Sequence, residues 1–408
     1  MQTRFKYGKT SIELNVPENA DMLKAKEPVF CINIEKFRTE LETFLPKETT
    51  CYSNVAIVVS DKTRLCGYPV YLPWLVESLV SRGTRNSNIS FYIAYGTHQK
   101  QSEPESLESY GDVYKKYTFI HHNSKDKQAF IELGQTKRGT PIKIRKDILR
   151  SSLIITFGAI SHHYFAGFGG GRKLIFPGLA EQDAVYKNHS YFLDIETKHL
   201  APGCHPGKLN DNPIAEDLKE IDDKLPVKIS IHGILNRQGK VCQLHIGNTY
   251  KDFLDACQEH DNYYRAKEGK LYNLVIASAG GYPKDVNFIQ SHKAIHNAAA
   301  FVKDGGKLVV FCECVDGIGS ETFLKYIQAE SFNHAFNQLK QNYEGNGGTA
   351  LAMMMKTKRI NIGLVTNLNA EACMSLKVEI LKPGDVQDIV NKENGSIAVI
   401  ENASLLVM

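Results

Sequence analysis

Short runs of β-branched and other apolar residues recur along the chain: Asn54–Val59, Ile89–Tyr95, Leu153–Phe157, Val227–Ile234, Leu271–Ala277, Lys307–Phe311 and Ile360–Val365. Apolar runs of this length suit strands covered on both faces, as in parallel α/β sheets. Between them, Val70–Arg82, Tyr250–Lys267, Gln290–Val302, Thr322–Ala329 and Ala350–Lys356 carry apolar residues at helical spacing. The alternation predicts an α/β fold of largely parallel, helix-covered sheets, built from βα units in two doubly wound halves. At about 150 residues per domain, a chain of 408 residues should form two domains. The charged, glycine-containing stretch Arg265–Lys270 is the expected boundary, giving domains over 1–265 and 270–408. The opening MQTRFKYGKTSIELNV alternates polar and apolar residues like an edge strand.

Charge and composition narrow the class. Formal net charge is +4, from 49 basic and 45 acidic residues spread along the chain. No Lys/Arg block resembles a nucleic-acid footprint, so no nucleic acid is expected as a partner. No apolar run approaches the ~18 residues that a membrane helix needs, and the N-terminus lacks the apolar core of a signal peptide. Nine scattered cysteines (31, 51, 66, 204, 242, 257, 312, 314 and 373) favour reduced thiols and a cytoplasmic enzyme over a disulfide framework. Cys312 and Cys314 have no second close pair to complete a zinc site and are expected as packed strand thiols.

In open α/β sheets, ligands bind beyond the carboxyl ends of the strands. Four expected strands run directly into unusual polar clusters: Ser60-Asp61-Lys62-Thr63-Arg64; Gly96-Thr97-His98; Gly158 followed by Ser161-His162-His163; and Ser278 to Gly281, leading to Asp285, Asn287, Gln290 and Lys293. The densest stretch is His163-Tyr-Phe-Ala-Gly-Phe-Gly-Gly-Gly-Arg-Lys173, whose glycines let backbone approach a ligand closely. A nucleotide P-loop needs Gly-Lys followed by Ser or Thr, but Arg172 intervenes and Leu174 follows the lysine. His98, His163 and His189 lie in loops near glycine or polar neighbours. If they converged, they would make a metal or proton-transfer site. Arg64 offers a bidentate fork for a carboxylate. Segment 198–212 is the longest turn-rich stretch, of a length that usually serves function.

At these residues the chain resembles the nickel-pincer nucleotide-dependent lactate racemase family, whose members are 2-hydroxy acid racemases and epimerases. The resemblance lies in Asp-x-Thr-Arg at 61–64, Gly-Thr-His at 96–98, His-x-Phe-Ala-Gly-Phe-x-Gly-Gly-Arg-Lys at 163–173 and Asn-His at 188–189. It continues in Gly-Lys-Leu-x-x-Asn-Pro-x-x-Glu-Asp at 207–217 and Gln-x-x-Lys at 290–293. It implies an isomerase that inverts C2 of a 2-hydroxy acid by reversible hydride transfer, through a 2-keto intermediate. Lys173 resembles the lysine that carries a pyridinium-3-thioamide-5-thiocarboxylate mononucleotide with Ni, the nickel-pincer nucleotide, through a thioamide. His189 resembles the nickel ligand, and His98 and His163 the paired acid/base histidines. Arg64, Gln290 and Lys293 resemble the substrate-binding residues, while Asp61 and Thr63 lie where the family approaches its cofactor. The family places its active site in the cleft between an N-terminal cofactor-binding and catalytic domain and a C-terminal domain that closes over it. Separate maturation enzymes make the cofactor and are implied as partners, so the isolated protein can lack it.

The chemistry is coherent in its own right. The C2–H of a 2-hydroxy carboxylate is scarcely acidic beside its anionic carboxylate, so histidine removes it poorly as a proton. The hydroxyl proton can leave if hydride departs from C2 at the same time, and return of hydride to the opposite face inverts the centre. Two bases flanking the substrate suit that reversibility, each contributing ~10²–10⁴-fold. Borderline-soft sulfur and imidazole ligands suit Ni²⁺.

Several positions depart from the family pattern. Ser161-His162 stands where the lactate enzymes tend to have Glu-Pro, and position 169 is Gly where many relatives have Ser. The only tryptophan is Trp74, and Gly345, Gly347 and Gly348 occupy Tyr343–Thr349. These suggest a pocket for a substrate larger than lactate, a sugar acid or similar, with Ser161 and His162 adding polar contacts. Two other classes stay open: a histidine-based zinc hydrolase and a non-catalytic carboxylate-binding protein. Metal analysis separates them.

Overall fold

A computed structural model describes residues 1–29, 32–45, 51–227, 229–267 and 269–408; Cys31 and Glu268, and position 228 of the expected strand at 227–234, lie outside it. Contacts divide the chain into two compact units, one of Glu27–Tyr191 with Ala201–Tyr263, the other of Met1–Lys26, Phe192–Leu200 and Tyr264–Met408. The expected boundary at 265–270 falls where the second of these units resumes, and Met1–Lys26 groups with that unit. The reason is packing. Gln2–Tyr7 and Thr10–Asn15 pair as an antiparallel hairpin rather than a lone edge strand. Phe5 of that hairpin stacks on Phe311 at 4.8 Å, and the Gly8 N–H donates to buried Asp285 at 2.7 Å.

The first unit is built on a six-stranded sheet in the spatial order 241–247, 229–235, 153–159, 55–60, 89–94, 118–121. All neighbours are parallel except the edge pair 229–235/241–247. Val55–Ser60 is buried at every position, as its unbroken apolar sequence requires of a strand with helices on both faces. One face packs Ile57, Val59, Phe91, Ile155 and Ile231 against Leu72, Leu75 and Leu79 of the Tyr68–Val80 helix. Register pairs Ser60 with Ala94 and Val59 with Phe157, so three neighbouring strands end level. Asp61, the Gly96–His98 turn and the glycine-rich segment all leave the sheet at that edge.

The other unit repeats the plan with a parallel sheet in the order 379–380, 361–365, 302–311, 272–278, 397–400, 21–22. Its helix Phe288–Ala299 begins at the cap of Asn287, whose side chain accepts from the Gln290 N–H at 3.0 Å. The helix ends three residues short of the expected Val302, which instead opens a ten-residue strand. Among the described residues the cysteines are free thiols, with Cys312 and Cys314 buried. No helix among them is long and apolar enough to cross a membrane.

Candidate active site

Asp61 follows the Val55–Ser60 strand and caps the short turn Lys62–Arg64. One carboxylate oxygen accepts from the Thr63 N–H at 2.8 Å and the Thr63 hydroxyl at 2.6 Å. The other lies 2.7 Å from His98 Nδ1. Burial alone would raise the Asp61 carboxyl. The hydrogen bond and charge of His98, the Thr63 hydroxyl and the Arg64 guanidinium instead hold it well below the ordinary carboxylate range. An ionised carboxylate only accepts, so His98 donates from Nδ1, and in the neutral ring Nε2 carries the lone pair. The His98 side chain is 49% exposed against 6% for Asp61: an accessible imidazole on a buried anchor.

His163 ends the first arm of a tight hairpin, Ser161–His163 against Gly167–Gly169. Its Nδ1 accepts from the N–H groups of Phe165 and Ala166, both at 3.2 Å. Neutral His163 therefore carries its proton on Nε2, the opposite tautomer to His98. Two glycines make this turn possible. Gly170 has φ +79° and a Cβ there would fall 2.3 Å from the Ala159 carbonyl; Gly167 has φ +74° and would meet the Lys208 carbonyl at 2.2 Å. No L side chain fits either place. The turn-rich stretch 201–212 thus braces the hairpin, and the Gly207 N–H also donates to the Gly167 carbonyl at 2.8 Å.

Lys173 lies buried in the turn Gly171–Leu174, a single tight turn rather than the long helix start of a phosphate loop. Neighbouring Arg172 points elsewhere, its guanidinium 4.6 Å from the Phe253 ring centre. His189 sits in the last turn of the Gln182–Ser190 helix and donates from Nδ1 to the Val185 carbonyl at 2.9 Å. Burial pushes its proton affinity down to about 4, and the nearby charges of Lys173 and Arg64 push the same way. A neutral imidazole with Nδ1 tied to a carbonyl and Nε2 unprotonated is the form that ligates a metal. Arg64 also approaches the glycine hairpin, its Nη1 3.9 Å from the Cβ position of Gly169. Arg64, His189 and Lys173 thus share one neighbourhood, with Phe165 next to both His163 and His189 at 6.2 Å between ring centres.

Gln290 and Lys293 lie one helical turn apart in the other unit, where the Lys293 ammonium donates to Gln290 Oε1 at 2.6 Å. Among the described residues no three His, Cys, Asp or Glu side chains converge as a metal-binding set. The histidine-only zinc site is therefore not formed, whereas a group bringing its own ligands would need just the one nitrogen that His189 offers.

Two expectations about substrate size are corrected. His162 does not reach for substrate: its Nε2 lies 2.7 Å from Asp261 Oδ1, with the imidazole only 5% exposed. Gly345 and Gly347 leave no room for a side chain. Gly347 begins the helix Gly347–Arg359, and a Cβ there would fall 2.3 Å from Leu339; at Gly345 it would fall 2.1 Å from Thr322. Their small size is used up by helix packing. Sequence reasoning assigned Asp61 to the cofactor and missed that it anchors His98. The signal was available, since an acid and a histidine each follow an apolar run of similar length.

The sequence patterns of the lactate racemase N-terminal and C-terminal domains match residues 7–200 and 268–360. The chain is 28% identical over 334 residues to a lactate racemase of Thermoanaerobacterium thermosaccharolyticum, covering 79% of this chain and 76% of that one. It is also 28% identical over 275 residues to a lactate racemase of Lactiplantibacillus plantarum, covering 66% and 62%. In fold it matches the lactate racemase apoprotein of the same Thermoanaerobacterium species with a TM-score of 0.87 at 23% identity, covering 100% of this chain and 99% of that one. A Thermotoga maritima protein follows at 0.70 and 15%, covering 94% and 99%.

Proposed function

The chain belongs to the lactate racemase family, and on that premise we propose that it inverts C2 of a 2-hydroxy carboxylate with His98 and His163 handling the hydroxyl proton. It is an isomerase of hydroxy acids. The observation that carries the mechanism is the opposed tautomers. Neutral His98, anchored by Asp61, offers a bare Nε2 as base; neutral His163 offers Nε2–H as donor. A hydroxyl whose proton passes to His98 as C2 gives up its hydride becomes a carbonyl oxygen; the His163 N–H can hold that oxygen while the carbonyl turns over, and His98 returns the proton as hydride comes back to the opposite face. Arg64 supplies the fork for the carboxylate, and Gln290 and Lys293 are proposed as further substrate-binding residues. Lys173 would carry a nickel-pincer nucleotide and His189 would ligate its nickel. When bound, that group supplies a reversible acceptor for the C2 hydride.

Loading would require separate maturation enzymes as partners. The cytoplasm is the proposed compartment, where the free thiols stay reduced. With His162, Gly345 and Gly347 committed to packing, the proposal fixes the carboxylate, C2 and its hydroxyl and leaves the chain beyond C3 to measurement. The test is conversion of single enantiomers of lactate and of four- to six-carbon 2-hydroxy acids by protein co-expressed with the maturation enzymes. Racemisation of at least one is expected; none across the series overturns the proposal.

A further inference from the structure

We infer that Asp217 is a positioning residue for His189, acting through Asn188, and that the helix carrying it, Pro213–Asp222, holds the His163 and His189 segments in one register. The inference rests on the reading of His189 as the metal ligand. Asp217 is 1% exposed. One of its oxygens accepts from the Thr136 hydroxyl at 2.5 Å; the other accepts from the Thr140 hydroxyl at 2.7 Å and from Asn188 Nδ2 at 2.8 Å. Among the described residues it has no cationic partner. A carboxylate buried among neutral donors is costly, and an apolar side chain would pack there more cheaply. What the carboxylate alone does is accept from several donors at once, joining its own helix, the 136–140 turn and the Gln182–Ser190 helix.

Asn188 is the residue before His189 and is fully buried. Successive side chains of an α-helix are about 100° apart around the axis, so fixing the azimuth of Asn188 fixes that of His189. Nδ1 of His189 is then held by the Val185 carbonyl of the same helix. Rotation of the helix and orientation of the ring are thus set by separate bonds. The other end of the Pro213–Asp222 helix repeats the device. The Asn212 side-chain Oδ1 caps the helix by accepting from the Ile214 and Ala215 N–H groups, while its Nδ2 donates to the Phe165 carbonyl at 2.8 Å and the Lys208 carbonyl at 3.0 Å. The N–H of Phe165 is itself one of the two donors to His163 Nδ1.

The experiment compares wild type, Asp217→Asn, Asp217→Ala and the exchange Asp217→Asn/Asn188→Asp, which restores a carboxylate–amide pair with its partners reversed. In the apoprotein, ¹⁵N-edited NMR reads the His189 Nδ1–H bonded to Val185. In matured protein, nickel retained against a chelator is read beside Tm. The single variants should lose the protected Nδ1–H signal and release nickel ~10–100-fold more readily, the usual effect of losing a group that orients a metal ligand, and the exchange should recover both. Single variants that lower Tm yet keep the Nδ1–H signal and nickel retention within twofold overturn the positioning role. Wild-type protein without nickel after full maturation overturns the reading of His189 itself, whereas the apoprotein signal judges the Asp217 linkage independently.

Discussion

Replacing Asp61 by Asn separates orientation from packing with a one-atom change. The Thr63 N–H that Asp61 caps at 2.8 Å can be kept by an Asn carbonyl, so the turn survives and the cap itself loses about 1 kcal/mol or less. The amide then turns its NH₂ toward His98 Nδ1, where the carboxylate now accepts at 2.7 Å. A donor facing Nδ1 forces the proton to Nε2 and removes the base. Loss of a charge-assisted hydrogen bond alone, about 1.5–3 kcal/mol, corresponds to roughly 10–150-fold at 1.36 kcal/mol per factor of ten. The wrong tautomer extends this toward the ~10⁴-fold limit of general-base catalysis. The assay is kcat/KM for racemisation in both directions with matured Asp61→Asn, alongside its Tm and nickel content. A drop of ~10²–10⁴-fold with nickel retained is expected. Activity within threefold of wild type refutes the anchoring argument.

Lys173→Ala should abolish the mass added on maturation, while His189→Ala should keep the added mass and lose nickel, both read by intact mass and metal analysis. Gly170→Ala, at φ +79° and facing the Ala159 carbonyl, should cost at least the roughly 1–3 kcal/mol of a strained backbone, visible as a lower Tm and weaker cofactor attachment. His122 and His232 are buried and pushed down to about 4 by that burial. Unfolded, each titrates near 6.5, so below that pH the unfolded chain binds protons that the folded chain refuses. Stability from this source is complete above about pH 6.5 and is lost progressively down to pH 4, by up to roughly 1.4 kcal/mol per unit per histidine. Urea midpoints from pH 8 to 4 should fall across that window, and His232→Leu should flatten the fall.

The long strands were legible because two-sided burial leaves no room for alternation: Val55–Ser60 and Tyr272–Ser278 are apolar almost throughout and buried on both faces. Thr118–His121, at a sheet edge and only partly buried, carries no such signature. Nor does Asp21–Met22, which is a strand only because the Ile397–Ile400 strand lies beside it. Local spacing marked His98 as a loop histidine, but its anchor became visible only when adjacent parallel strands set Ser60 beside Ala94. Asp217 is further removed, since a buried acid within an amphipathic helix reads as a surface residue until Thr136, Thr140 and Asn188 are seen around it. Gly345 and Gly347 show the opposite error. Small residues mean space only where nothing fills it, and here Thr322, Leu339 and Tyr326 do.

The central claim is that the C2 hydrogen moves as hydride within the site while the histidines move only the hydroxyl proton. Matured protein racemising a 2-hydroxy acid deuterated at C2, in ordinary water, tests it directly by mass spectrometry of the inverted product. Deuterium retained at C2 is the predicted result; its replacement by solvent hydrogen at the rate of racemisation would contradict the account.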